Sequence, residues 1–125
     1  MKLRAAIALA LLTSVTGNDA MAQQQKEDGN HWLPICQSLV KRRPLPQYEF
    51  DAFVCLGMAQ GILFASTLLP PYAVSCPPPG VTSGQAVSVI TAFMERNPSQ
   101  LHQDFRYLAI AALHHAWPCP ANSTK

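Results

Sequence analysis

Apolar residues along the chain fall into five blocks separated by proline and polar punctuation. The first, Ala5 to Val15, is continuous except for Thr13 and Ser14. The second predicts a helix from Leu33 to Arg42, stopped by Pro44 and Pro46, because proline lacks the N–H and clashes with the preceding turn. The third runs from about Gln47 to Leu68 and ends at Pro70 and Pro71. Within it Phe53 to Leu69 is 17 mostly apolar residues, a marginal length for crossing a bilayer. Gln60, Ser66, Thr67 and two glycines interrupt that run, so the pattern predicts a buried helix. The fourth block opens with Thr82-Ser83-Gly84-Gln85, a capping box in which each of Thr82 and Gln85 can satisfy the other's backbone N–H. Val87, Ile90 and Met94 then form an apolar stripe widened by Ala86, Val89 and Phe93. Gln85, Ser88, Thr91 and Glu95 form the polar side. Asn97-Pro98 breaks this helix. The fifth block predicts a helix from Pro98 or Ser99 to Trp117, with Leu101, Phe105, Leu108 and Ala112 in one row and Ile110, Leu113 and Trp117 in another. No stretch alternates as a strand pair would. The expected fold is all-α: a small four-helix domain of two antiparallel helical hairpins.

The first block changes the picture of the chain's location. Lys2 and Arg4 precede it, and Ala20 and Ala22 follow at the small-x-small spacing of a signal peptidase site. The run is too short to span about 30 Å of hydrocarbon. Residues 1–22 therefore read as a signal peptide cleaved after Ala22, and Gln23 at the new end does not suit a lipoprotein anchor. Residues 23–32 read as a loose polar segment and 33–125 as the helical domain. Lys2, Arg4 and Asp19 leave with the signal, so seven basic and six acidic residues remain. That balance points to neither nucleic acid nor a membrane surface as partner.

All four cysteines, Cys36, Cys55, Cys76 and Cys119, lie beyond the signal. An even count in a small exported domain reads as two disulfides. No C-x-x-C occurs. His114 and His115 are adjacent and point about 100° apart on a helix, so no metal site is expected. Helices three and four, joined by a tight turn, should lie antiparallel, which brings Cys76 before the first to Cys119 after the second. Cys36 and Cys55 sit at matching levels of the first pair, at about 1.5 Å rise per residue. The expected bridges are Cys36–Cys55 and Cys76–Cys119. Gly57 and Gly61 stand four apart and make a bare helical stripe, read as close packing in the core.

Chemistry is sparse. There is no HExxH, no Gly-rich phosphate loop and no G-x-S-x-G, and the cysteines are consumed by bridges. Glu27, Asp28, Glu49, Asp51, Glu95 and Asp104 are scattered; Asp104 suits the start of the fourth helix and the two histidines its end. Lys41-Arg42-Arg43 is a small basic corner. With no catalytic residues, metal or cofactor indicated, a non-enzymatic binding protein is expected. The stretch from Pro70 to Gly80 holds five prolines and is anchored by Cys76, so it is the candidate pre-organised contact element, the alternative being an ordinary connecting loop. Tyr72 is its aromatic residue, and Gln85, Ser88 and Glu95 on the polar edge of the third helix extend the expected partner contact.

Along the chain stand, in order, Cys36, CLGMAQG at 55–61, CPPPGVTSGQ at 76–85, NPSQLH at 97–102 and WPC at 117–119. This order of motifs resembles the Rap/Tai family of type VI secretion immunity proteins. Met58 stands where the family has an aromatic residue, and Asn97 where it has histidine before proline. The resemblance implies a helical, disulfide-bonded periplasmic homodimer that binds and blocks a toxic peptidoglycan amidase. The alternative is a periplasmic binding or chaperone-like helical module with no toxin partner.

Overall fold

A computed structural model describes residues 27–43 and 46–121. Residues 1–26, Pro44, Leu45 and the last four residues lie outside that description, and with them the expected signal peptide and its cleavage site. Four α-helices follow in order: α1 (Gly29–Val40), α2 (Glu49–Ser66), α3 (Ser83–Arg96) and α4 (Phe105–Ala116). Single 3-10 turns, Pro46–Tyr48 and Pro98–Gln100, precede α2 and follow α3. No strand occurs among the described residues; Asp28 and Asp104 form one isolated antiparallel bridge. The all-α expectation holds.

The core gathers around α3, which packs against each of the other three helices. Ala86, Val87, Ile90 and Met94 fill its inner face, as the stripe predicted. Thr91, expected on the polar side, is also buried. Its hydroxyl donates to the Val87 carbonyl at 2.9 Å, so the backbone one turn earlier satisfies it without water. The capping box forms in full: Thr82 Oγ1 accepts from Gln85 N–H at 3.2 Å and Gln85 Oε1 from Thr82 N–H at 2.8 Å. Phe105, Leu108 and Ala112 of α4 and Ile35 and Cys36 of α1 complete the interior.

Two helix starts differ from the sequence expectation. The first helix begins at Gly29, so residues 29–32 of the expected loose segment are helical. Asp28 caps it by accepting His31 N–H at 2.9 Å. Hydrogen bonds from Gly29 N–H to Gln103, from Asn30 N–H to Leu101 and from Phe105 N–H to Glu27 then stitch this end to the start of α4. The fourth helix begins at Phe105 rather than near Pro98, because the intervening backbone is used in that stitching and Asp104 provides the cap. Gly29 is the glycine that permits close approach: a Cβ there would lie 2.5 Å from Leu108 Cδ1.

Both expected disulfides are present, with Cα–Cα separations of 5.7 Å for Cys36–Cys55 and 4.9 Å for Cys76–Cys119. The first is fully buried between α1 and α2; Cys76 of the second is exposed. Helix α2 departs most from expectation. Only 22% of its apolar window is buried. Ala52, Cys55, Ala59 and Ser66 face inward, while Phe50, Phe53, Phe64 and, just past its end, Leu68 are 66–78% exposed. Gly57 and Gly61 lie on this outer face. A Cβ at either would meet nothing within 4 Å, so neither packs in the core.

Candidate functional site

The proline-rich connection between α2 and α3 is held at four points. Pro70 carbonyl accepts both Ala73 and Val74 N–H at 2.9 Å, closing a turn with Tyr72 near its tip. Ser75 N–H donates to Ser66 carbonyl at 3.0 Å, and the two buried serine hydroxyls meet at 2.5 Å. His114 donates its Nδ1–H to Val74 carbonyl at 2.6 Å. A carbonyl oxygen can only accept, which fixes the proton on Nδ1. Finally Cys76 N–H donates to Trp117 carbonyl at 2.8 Å beside the Cys76–Cys119 bridge. Gly80 then turns the chain towards α3 with φ 88°, in the region where glycine carries no Cβ penalty.

Tyr72, so anchored, is 81% exposed. It overhangs a groove of about 450 Å³ lined by Tyr107, Ile110, Ala111, His114 and His115 of α4 and Phe93 of α3. Tyr107 is also exposed, and the His115 ring lies 6.2 Å from that of Phe93. A second, smaller groove between α3 and α4 shares Phe93 and His115 and reaches Arg96. The surface is thus aromatic, with two imidazoles and a guanidinium at its margin, and tyrosine and arginine are among the side chains that carry most energy in protein interfaces.

The other residues singled out in the sequence sit elsewhere. Gln85 and Ser88 line a groove with Leu39, Val40, Arg42 and Leu56, on the side where α1 and α2 meet α3, and Ser88 also borders the groove between α3 and α4. Glu95 accepts from the Gln37 side chain and so ties α3 to α1. The structure therefore brings Tyr72 together with α4 rather than with the polar edge of α3. Tyr107 and His114 escaped sequence reasoning. On the α4 periodicity Tyr107 reads as one more outward residue, and His114 as a helix-end cation. The signal for His114 is its position in the last turn, close to the cysteine that the fold brings to Cys76.

Asp104 shapes the other end of α4. Its carboxylate accepts Arg106 N–H at 2.8 Å and Arg106 Nε–H at 2.9 Å. The hydrogen bond from the Arg106 side chain, chiefly, holds the carboxyl below its ordinary value, against a smaller opposing effect of burial.

A family model described as Rap1a immunity proteins matches residues 28–119, which spans all four helices and both disulfides. No curated protein and no solved structure matches the chain.

Proposed function

Since the chain belongs to the Rap1a immunity protein family, we propose that it is an exported periplasmic homodimer that binds and blocks a peptidoglycan amidase toxin delivered by type VI secretion. Membership supports the toxin-immunity role itself. The amidase, the secretion route, the compartment and the dimer are the finer part of this reading. They rest on the signal-like first 22 residues, the motif order and the oxidised cysteines.

The inhibitory element in this reading is the Tyr72 turn with the α4 face beside it. The observation that carries it is Tyr72 itself: a large aromatic side chain, four-fifths exposed, on a loop fixed by a disulfide and by hydrogen bonds to α2 and α4. Holding an aromatic residue out in water has no use for folding. Holding it rigid lowers the entropy lost when it enters a partner's cleft. Ser88 also borders the groove between α3 and α4 and can extend this contact, whereas Gln85 lines a different groove and Glu95 is tied to α1, so those two would add to it only with a partner that reaches around α3.

The test pairs binding with protection. The protein purified from periplasm should capture an exported amidase and inhibit its release of peptide from peptidoglycan. Cells carrying the gene should survive that amidase. Failure to bind or inhibit any exported amidase encoded beside it, with no protection of the host, would overturn the reading.

A further inference from the structure

Three grooves join across α3. The Tyr72 groove and the groove between α3 and α4 share Phe93 and His115. The latter shares Ser88 with a groove of about 310 Å³ that reaches Gln85 and Arg42. A continuous track thus runs from the Tyr72 turn, past Arg96 and Ser88, to the end of α1. Gln85, Ser88, Ala92 and Arg96 follow one another along it at helical spacing. At about 1.5 Å per residue they cover about 16 Å of α3.

The charge on this track has one sign. Arg42 stands at one end of the α3 stretch and Arg96 at the other, both exposed, and no described carboxylate lines any of the three grooves. Arg106 and Asp104 form the one ion pair among the described residues, so neither Arg42 nor Arg96 has an acidic partner there. Glu95, next to Arg96 in the chain, is turned to α1, where it accepts from Gln37. The backbone at Arg42 adds a second sign. Arg42 N–H donates to Leu39 carbonyl at 3.1 Å and Arg43 N–H to Ser38 carbonyl at 3.0 Å, so Arg42 closes the end of α1 with φ 52°. Helices that end this way usually hold glycine at that position, because a Cβ is strained in the left-handed region. Arginine accepts the strain and sets a guanidinium at the mouth of the groove, and strain of this kind gathers at sites of function. Gln85 adds donors beside it. Its Oε1 is taken by Thr82 N–H at 2.8 Å, which leaves the amide N–H groups free to donate outwards. The floor between the cations is apolar, with Leu39, Leu56, Val89 and Ala92. A small free anion would use the rim alone, whereas a peptide segment covers rim and floor together.

We infer that this track takes an extended, acidic segment of the toxin, with two carboxylates about five residues apart, one set on Arg42 and Gln85 and the other on Arg96. An extended chain rises about 3.3 Å per residue, so about five residues cover the α3 stretch. A guanidinium suits a carboxylate because its N–H groups meet both oxygens at once. The inference rests on the toxin-binding reading above and gives the chemistry of the toxin surface that meets α3. It also lets Tyr72 and Gln85, on different grooves, serve one partner.

Association kinetics with the captured amidase at low and high salt test this. Wild type should associate more slowly as salt rises. Arg42→Gln and Arg96→Gln should each slow association at least about threefold at low salt and flatten its salt dependence. Gln60→Glu makes the same change of net charge on α2, off the track, and should leave the rate unchanged. Ser88→Trp, placed where two grooves join, should weaken binding about tenfold or more by obstructing the segment. All four positions are exposed, so circular dichroism and thiol titration should match wild type. Failure to capture any amidase overturns the proposed function and this inference with it. Capture at a rate indifferent to salt, to Arg42→Gln and to Arg96→Gln overturns the acidic track and leaves the toxin reading standing. Unchanged binding by Ser88→Trp confines the toxin to the Tyr72 groove and overturns the track as well. Flotation with phosphatidylglycerol vesicles that both arginine variants lose, with toxin binding unchanged, assigns the track to lipid instead.

Discussion

Glycine gives the clearest contrast at the scale of single residues, because Gly29, Gly57 and Gly61 lie in helices with opposite consequences. Gly29 begins α1 against Leu108 and the Leu101 carbonyl, the latter 3.1 Å from where a Cβ would stand. Leu108 can turn aside, but the carbonyl belongs to the backbone that stitches the two helix starts together. Gly29→Ala should therefore destabilise the chain by about 1–3 kcal/mol, the usual range for overpacking, read as a lower midpoint in urea. Gly57→Ala should do the reverse in a monomer, adding up to about 1 kcal/mol of helix propensity at a site with no neighbours. Tyr72 separates binding from folding in the same way. With its side chain in solvent, Tyr72→Ala should leave the thermal midpoint within about a degree or two. It should also weaken partner binding by about 2 kcal/mol or more if it is a hot spot. A calorimetric titration against the captured toxin beside a thermal melt checks both halves.

Whole elements depend on how their ends are fixed. The start of α4 relies on Asp104, whose carboxyl is held below its ordinary value of 3.8 by the Arg106 hydrogen bond. A carboxyl depressed in the folded state stabilises it above the unfolded pKa, and that stabilisation fades as pH falls through the folded pKa. Asp104→Asn keeps a capping side chain but cannot ionise. Wild type should thus be the more stable of the two near neutrality, and the difference should shrink below about pH 4, as urea unfolding at several pH values will show. The Pro70–Gly80 connection depends instead on its bridge. Cys76 is exposed, whereas Cys36 and Cys55 are buried, so a small thiol reaches the Cys76–Cys119 bridge first. Mild reduction should open that bridge alone. The Tyr72 turn would then keep only its hydrogen bonds to Ser66, His114 and Trp117, and partner affinity should fall before far-UV circular dichroism changes. Peptide mapping after alkylation identifies which cysteines reacted.

For the molecule as a whole, the two bridges and α3 hold a small core together, and the most apolar helix remains half outside it. Inner-face burial alone leaves four large side chains of that helix region in water. Contiguous apolar area of this kind is unusual on a lone small domain. If a second copy covers it, folding and association are linked, and the thermal midpoint of the wild type should rise with protein concentration. For Phe53→Glu it should be independent of concentration. Differential scanning fluorimetry over a hundredfold dilution distinguishes the two.

Proline placement, the Thr82–Gln85 box and the 3.6-residue periodicity were enough to set the number of helices, the bounds of α3 and both disulfide pairings, because these signals act through the local backbone. The family likeness was legible for the same reason: its motifs are caps, turns and cysteines. Local signals failed where distant chain segments meet. Asp28 reads as part of a polar tail until the start of α4 comes alongside to accept its neighbours' N–H groups. His114 is an ordinary helix-end residue until the Val74 carbonyl reaches it from 40 positions away. Helix α2 shows the limit most clearly. Apolar residues surround it, so its sequence has no wet side and cannot say which face goes inward. Packing against α3 and the bridge from Cys55 make that choice, and they turn Phe50, Phe53, Gly57, Gly61 and Phe64 outward. The sequence determined that this helix is apolar; only the tertiary structure decided that half of it faces out, because burial depends on which neighbours arrive and not on the helix itself.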